Sequence, residues 1–265
     1  MHIRGKLGQR VITESEVAKP AAPIIVPRVA SVSTLINPTE PGWKNIANIT
    51  IPLTAQVLFV PWGTGSTPAV DVQAAHDNRR VIFRMSWEDK TPNKKLTRMS
   101  DYSDGAAVMF PLDEGEPSSI MMGFLKPVNI WHWKAARRHQ DWAKVYAEFY
   151  VAAEKGTLLA THRSAFDHPP HGSDIVDNLA TMPGTITPKK NQQVEGKAVW
   201  NNGRWYVTYS RSLASSKATE DVQFKTGDEF WTAFAVWDGE RKERASRKSI
   251  ADWVPFVLEE SRAAK

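Results

Sequence analysis

Seven His, no Cys and several clusters of acidic residues are the side chains from which any chemistry of this 265-residue chain must be assembled. His168-Pro169-Pro170-His171 sets two imidazoles three residues apart, but the intervening prolines forbid the helix that would aim both at one metal ion. His132 lies between Trp131 and Trp133 in an alternating run, so it points away from both indoles, as a structural histidine on a strand does. Gly-x-Ser-x-Gly, a phosphate-binding Gly-rich loop and His-Glu-x-x-His are all missing, which removes the common hydrolase and nucleotide-binding signatures. Asp113-Glu114 and Glu259-Glu260 fall in an acidic turn and near a terminus, where solvation accounts for them, so no acid–base pair is nominated. Without Cys there are no disulfides, thiolate-ligated zinc ions, iron–sulfur clusters or thioether-attached haem.

Side chains need elements to position them, and the pattern of the chain is that of an antiparallel β-protein. Residues 1–43, with Lys19-Pro20-Ala21-Ala22-Pro23, read as an extended arm that must lie either on a partner or on the surface of the domain formed by residues 44–265. Strands are expected at Gln56–Val60, Arg80–Trp87, Ala106–Leu112, Ser119–Phe124 and Val128–Trp133, with Val81, Phe83, Met85 and Trp87 on one face and both Trp131 and Trp133 on another. Trp142, Val145, Tyr146, Phe149 and Ala153 follow a helical stripe, and residues 160–195 read as a long loop. Asn201-Asn202-Gly203 between Lys197–Trp200 and Arg204–Leu213 is a tight hairpin signal. Asp228–Trp237 and Ser249–Leu258 complete about eight strands without a βαβ rhythm, which predicts an all-β antiparallel sandwich with one or two short helices.

Composition narrows the partners. Eleven Trp, with ten Phe and five Tyr, supply wide flat side chains for packing between sheets or against a planar ligand. The net charge of +5 is scattered over Lys94-Lys95, Arg137-Arg138, Lys189-Lys190 and Arg241–Lys248, a solvated surface with no nucleic-acid motif beside it. No apolar run reaches the roughly 20 residues that span a bilayer. Met1-His2-Ile3-Arg4-Gly5-Lys6 has a basic start with no apolar stretch behind it, so no secretory signal is visible.

Four segments in register carry a family resemblance. Met122-Gly123-Phe124-Leu125-Lys126-Pro127-Val128-Asn129-Ile130-Trp131-His132-Trp133-Lys134-Ala135 resembles the strand–turn–strand motif of the haem-b gamma subunits of type II dimethyl sulfoxide reductase family molybdoenzymes. Asp104–Pro111 precedes it, Trp200–Val207 follows, and Asp221–Lys225, Phe234–Gly239 and Arg247–Ile250 close the series. That group includes the gamma subunits of ethylbenzene dehydrogenase, dimethylsulfide dehydrogenase, selenate reductase and chlorate reductase, with related chains in nitrite oxidoreductase.

The resemblance implies a non-covalent haem b held by one Met and one Lys. By motif position these are Met122 and Lys248, with Lys217 the alternative lysine, and Phe110, Trp131, Trp133 and Trp237 either line the haem pocket or fill the sandwich. It implies a non-catalytic electron-transfer subunit working beside a molybdopterin catalytic alpha subunit and an iron–sulfur beta subunit, with a soluble carrier such as a c-type cytochrome, in the periplasm. A carbohydrate-binding sandwich module without haem is the competing reading, since surface Trp and Tyr can stack on sugar rings.

Overall fold

The computed structural model describes residues 22–58, 60, 62, 65–96, 100–113, 115–120, 124, 126–139 and 173–260. Among these, β1 (Ile24–Val26), β2 (Ile49–Pro52), β3 (Thr54–Ala55), β4 (Ala69–His76), β5 (Arg80–Glu88), β6 (Gly105–Pro111) and β7 (Val128–Lys134) form the first half. After helix α1 (Ala135–His139) come β8 (Ile175–Ala180), β9 (Thr187–Pro188), β10 (Ala198–Asn201), β11 (Arg204–Ser212), β12 (Glu229–Trp237), β13 (Ser249–Ile250) and β14 (Val254–Leu258). The larger sheet has the order β1-β14-β12-β6-β7-β8-β9, with β13 pairing with β12 and β3, and the smaller sheet has the order β10-β11-β5-β4-β2. All pairings between strands are antiparallel except β1 with β14, where Ile24 stands opposite Phe256 in parallel register. No helix among the described residues is long and apolar enough to cross a membrane.

Strict alternation builds the core. Val81, Phe83, Met85 and Trp87 of β5 face the other sheet, as their spacing predicts, and meet Val108, Phe110, Trp131, Trp133, Phe234 and Phe256. The rings interlock edge to face, with Phe110 and Trp131 at 4.6 Å and Trp133 and Trp205 at 4.6 Å between centroids. Fully burying an aliphatic or phenyl side chain here contributes about 1.5–3 kcal/mol. The β10–β11 hairpin closes through Asn202 and Gly203, whose φ values of 50° and 77° are those of a two-residue turn that needs left-handed backbone.

Several expectations need correction. The domain begins well before residue 44: β1 lies within the supposed arm, and Val32, Leu35 and Trp43 are buried against Ala75 and Ile82 on the outer face of the smaller sheet. Of the two surfaces open to that arm, residues 22–43 use the domain's own. The stretch 160–195 contains β8, paired with β7 from Val128↔Ala180 to Trp133↔Ile175, so much of it is not loop. The described parts of Gln56–Val60 and Ser119–Phe124 are not strands. The helix expected at 140–155, His162, and the His168–His171 pair lie outside the described residues.

Candidate functional site

On the outer face of the larger sheet the residues between the core positions are small. Gly105 and Ala107 on β6 stand beside Ala233 and Ala235 on β12, and Ala107 is paired with both His132 and Ala235. A Cβ at Gly105 would come to 3.3 Å from the Trp133 carbonyl and 3.5 Å from the Trp237 ring, so only glycine keeps this part of the floor level. The result is a flat floor beneath a cavity of about 720 Å³. Its walls include Ile130 and His132 of β7, Trp237, and residues of the connections that arch over the sheet, among them Leu58, Ile120, Phe124 and Ile186. Segment 118–120 is tied down by the Ile120 amide, which donates to Asp252 Oδ1 at 2.9 Å, and by the Trp253 indole, which donates to the Ser118 carbonyl at 3.0 Å.

Lys248 enters this cavity from the residue before β13. Its backbone is pinned, because the Gln56 amide donates to the Lys248 carbonyl at 3.0 Å and the Gln56 side chain donates to the Ser246 carbonyl at 3.1 Å. The ammonium sits 4.9 Å from the centre of the Trp237 ring, and no carboxylate pairs with it among the described residues. Burial lowers its pKa from the ordinary lysine value to about 8. At pH 7 roughly one molecule in ten therefore carries a neutral amine, a donor that an ordinary surface lysine almost never offers.

Basic groups dominate the rest of the lining; Glu243, the one carboxylate among the described lining residues, accepts from Ser66 and from the Asp238 amide. Burial pushes His132 well below the ordinary histidine range, and Arg137, Lys134 and Lys248 push it further, so the imidazole is neutral. Its carbonyl accepts from Arg137 at 2.9 Å, and its ring lies 5.4 Å from that of Trp237. Lys134 is lowered by burial and then by Arg137 and Arg244. Lys134, Arg244 and Lys248 thus gather positive charge around an apolar hollow, a setting for an anionic ligand with a flat apolar body.

The structure separates the residues nominated from the sequence. Trp237 and Lys248 line the cavity. Phe110, Trp131 and Trp133 do not: all three project to the opposite face and are buried in the core between the sheets. The period of two that puts Trp131 and Trp133 together sends their neighbours Ile130, His132 and Lys134 into the cavity instead. Lys217 is at the surface, 3.7 Å from Glu220, and does not line the cavity. Met122 lies outside the described residues; Ile120 and Phe124, on either side of it in the sequence, both line the cavity.

Sequence reasoning missed Gly105, Ala107, Met109 and Ala235 as floor residues. Ala107, Met109 and Ala235 alternate with the core residues Val108, Phe110, Phe234 and Val236, whereas Gly105, between Asp104 and Ala106, carries no such signal. Met109 is the one thioether lining the cavity among the described residues.

Comparison with known proteins follows this geometry closely in extent. The model of the ethylbenzene dehydrogenase family matches residues 40–249, from the segment packed on the smaller sheet through Lys248. A Haloferax mediterranei protein named as a candidate haem subunit of a respiratory nitrate reductase is 28% identical over 241 residues, covering 90% of this chain and 74% of that one. The chlorate reductase gamma subunit of Ideonella dechloratans is 27% identical over 193 residues, 72% of this chain and just under two thirds, 65%, of its own length. Among solved structures, a family 9 carbohydrate-binding module from Caldicellulosiruptor kristjanssonii in complex with glucose superposes at a TM-score of 0.45 and 10% identity, covering 92% of this chain and all of that one. A Bacteroides uniformis protein assigned to carbohydrate binding gives a TM-score of 0.48 at 8% identity over 89% of this chain and 98% of its own.

Proposed function

The chain belongs to the ethylbenzene dehydrogenase family, and on that premise we propose that it is a non-catalytic electron-transfer subunit that carries a b-type haem in the cavity on its larger sheet. In this reading Lys248 and Met122 would hold the iron. The observation that carries it is Lys248 itself: an amine drawn toward neutrality by burial, with no carboxylate paired to it among the described residues, on the wall of a hollow floored by glycine and alanine.

Each feature fits the group. A level floor of Gly105, Ala107, Ala233 and Ala235 matches a planar macrocycle, and apolar walls exclude water from it. Lys134 and Arg244 offer charge to the two carboxylates that such a macrocycle carries. An amine ligates only after losing its proton, which the lowered pKa of Lys248 favours. A thioether is neutral and soft and favours reduced iron. A haem held by Lys248 and Met122 would supply one-electron chemistry and would leave no ligand place for substrate.

The relatives are named as subunits of a nitrate and a chlorate reductase. By the same reasoning this chain relays electrons between an iron–sulfur beta subunit beside a molybdopterin alpha subunit and a soluble carrier such as a c-type cytochrome, in the periplasm. Exposed Val57 and Val60, at 59% and 78%, line the cavity as an apolar rim suited to a protein partner. Nothing comparable supports the sugar-binding reading: among the described Trp residues only Trp62 is largely exposed.

The test is a visible spectrum and a pyridine haemochrome assay on the purified complex. A Soret band is expected; Lys248→Ala should abolish or shift it, and Met122→Ala should move the reduced α-band and the midpoint potential. A colourless complex, or a reduced native protein that binds carbon monoxide readily, would sink the proposal.

A further inference from the structure

A second set of side chains, outside the haem reading, meets at the end of the sandwich. Asp89 directly follows β5 of the smaller sheet, Asp104 directly precedes β6 and Asp238 directly follows β12 of the larger one, so both sheets deliver a carboxylate to one point. Each offers one oxygen, and the three oxygens lie within 4.8 Å of one another. Two ligands of a single hard cation, each bound at about 2.4 Å, span that distance.

Hydrogen bonds fix these carboxylates without neutralising them. Asp104 Oδ2 accepts from the Asn93 amide at 2.7 Å and the Trp205 indole at 3.0 Å, and its Oδ1 accepts from the Gly239 amide at 2.9 Å. Asp238 accepts from the Arg241 amide at 3.2 Å and the Ser66 hydroxyl at 3.4 Å. Asp89 Oδ1 accepts from the Thr91 amide at 3.0 Å. The other oxygen of Asp89, on a residue only 8% exposed, is buried and makes no well-formed hydrogen bond, although the Asp104 carboxyl and the Trp205 indole lie close enough to act on it. A buried carboxylate oxygen without a donor is costly unless something positive meets it. Burial, and then the charge of Asp89, hold Asp104 well above the usual carboxylate range; burial, and then Asp238, raise Asp89.

We propose that Asp89, Asp104 and Asp238 form a calcium-type divalent cation site that ties the two sheets together beside the haem cavity. The donor set is entirely hard oxygen, which disfavours zinc and copper, and three protein carboxylates suit calcium better than magnesium, which keeps its own waters. A bound cation replaces mutual repulsion with attraction in the strands that frame Gly105 and Trp237. The competing arrangement is a proton shared by Asp89 and Asp104 with no cation.

The experiment uses the full chain stripped with chelator, and reads Tb³⁺ luminescence excited through tryptophan together with the melting midpoint in calcium, in magnesium and in neither. Sensitised emission displaced by calcium is expected, as is a rise of roughly 5–10 °C at a calcium concentration a hundredfold above its Kd, with less from magnesium. Asp89→Asn should lose both responses while its metal-free midpoint holds or rises, because a repulsion has been removed; Asp238→Asn serves as the second variant, and the exposed Glu229→Gln keeps both responses. An unmoved midpoint and dark terbium up to millimolar calcium would overturn the proposal in favour of the shared proton, as would an Asp89→Asn protein that responds in full. None of these readouts depends on haem content.

Discussion

Lys189, which is buried, and Lys248, which is half-buried on the cavity wall, are handled in opposite ways. Lys189 lies in a polar network that bridges the sheets: its Nζ is 2.7 Å from Asp177 Oδ2 and also contacts Asp221. Arg211 Nη1 reaches the same Asp221 at 3.1 Å, and Asn129 donates to Asp177 at 2.6 Å. Every charge there has its opposite, and the cost of desolvation is offset within the group. Lys248 stands in the cavity with an aromatic face for company and no carboxylate among the described residues. An ammonium left in that state is relieved by giving up its proton, and a neutral amine can bind a metal.

The largest expected effect comes from breaking the compensated side. Asp221→Ala removes the acceptor shared by Lys189 and Arg211 and the one that takes the Ser215 hydroxyl at 2.7 Å. Leaving two buried cations short of charge should cost about 3–5 kcal/mol, a fall of roughly 10 °C in the melting midpoint. A loss below about 1 kcal/mol would place the network with ordinary surface pairs and dissolve the contrast.

Lys248→Met should act in the opposite direction in the haem-free chain. The folded-state pKa of Lys248, about 8, is below the unfolded lysine value of about 10.4. Between those pH values the unfolded chain binds more protons, so stability rises with pH across that window and the full penalty applies below it. Lys248→Met should raise the midpoint at pH 7 by roughly 2–6 °C and flatten the rise above pH 8. Thermal melts across pH check both; a variant that melts lower at pH 7 would mean that the ammonium is compensated after all.

Ala235→Leu sharpens the cavity side. The new side chain enters open volume above the floor, so the midpoint should stay within about 2 °C. Haem content after expression in haem-sufficient cells should nevertheless fall several-fold, read by absorbance. Retained haem would move the binding plane away from β12.

Period-two patterns made β5, β7, β11 and β12 legible, because each buries one face and its large residues announce it. β8 was hidden because Asp177 and Asn178 interrupt it: the Asp177 carboxylate is met by Lys189 and Asn129 from other segments, and the Asn178 side chain donates to the Ile130 and Val176 carbonyls. β4 was hidden in the same way by Asp71 and Gln73, which are met by Arg204, Thr50 and Arg84. Alternation states which residues share a face and is silent about which face meets a ligand, so it left open whether Phe110, Trp131 and Trp133 line a pocket or fill the sandwich; they fill the core between the sheets. The floor residues give no hydrophobic signal, since their contribution is the space they leave. Lys248 was legible only through motif position; that no carboxylate pairs with it among the described residues is a fact of three dimensions.

The smallest effect is expected at Lys217, and it separates the two candidate lysines. Its ammonium is 3.7 Å from Glu220 with both side chains well exposed, an i,i+3 pair in a turn. Such pairs contribute between zero and about 1 kcal/mol, reduced further by salt. The turn itself is held by the main chain, where the Glu220 and Asp221 amides donate to the Lys217 carbonyl at 3.0 and 2.9 Å, bonds that an alanine preserves. Lys217→Ala should therefore shift the midpoint by less than about 2 °C and leave the visible spectrum of the complex unchanged, while Lys248→Ala alters that spectrum. A Soret band that responds to Lys217→Ala and ignores Lys248→Ala would transfer the ligand to the surface lysine and take the cavity out of the haem assignment.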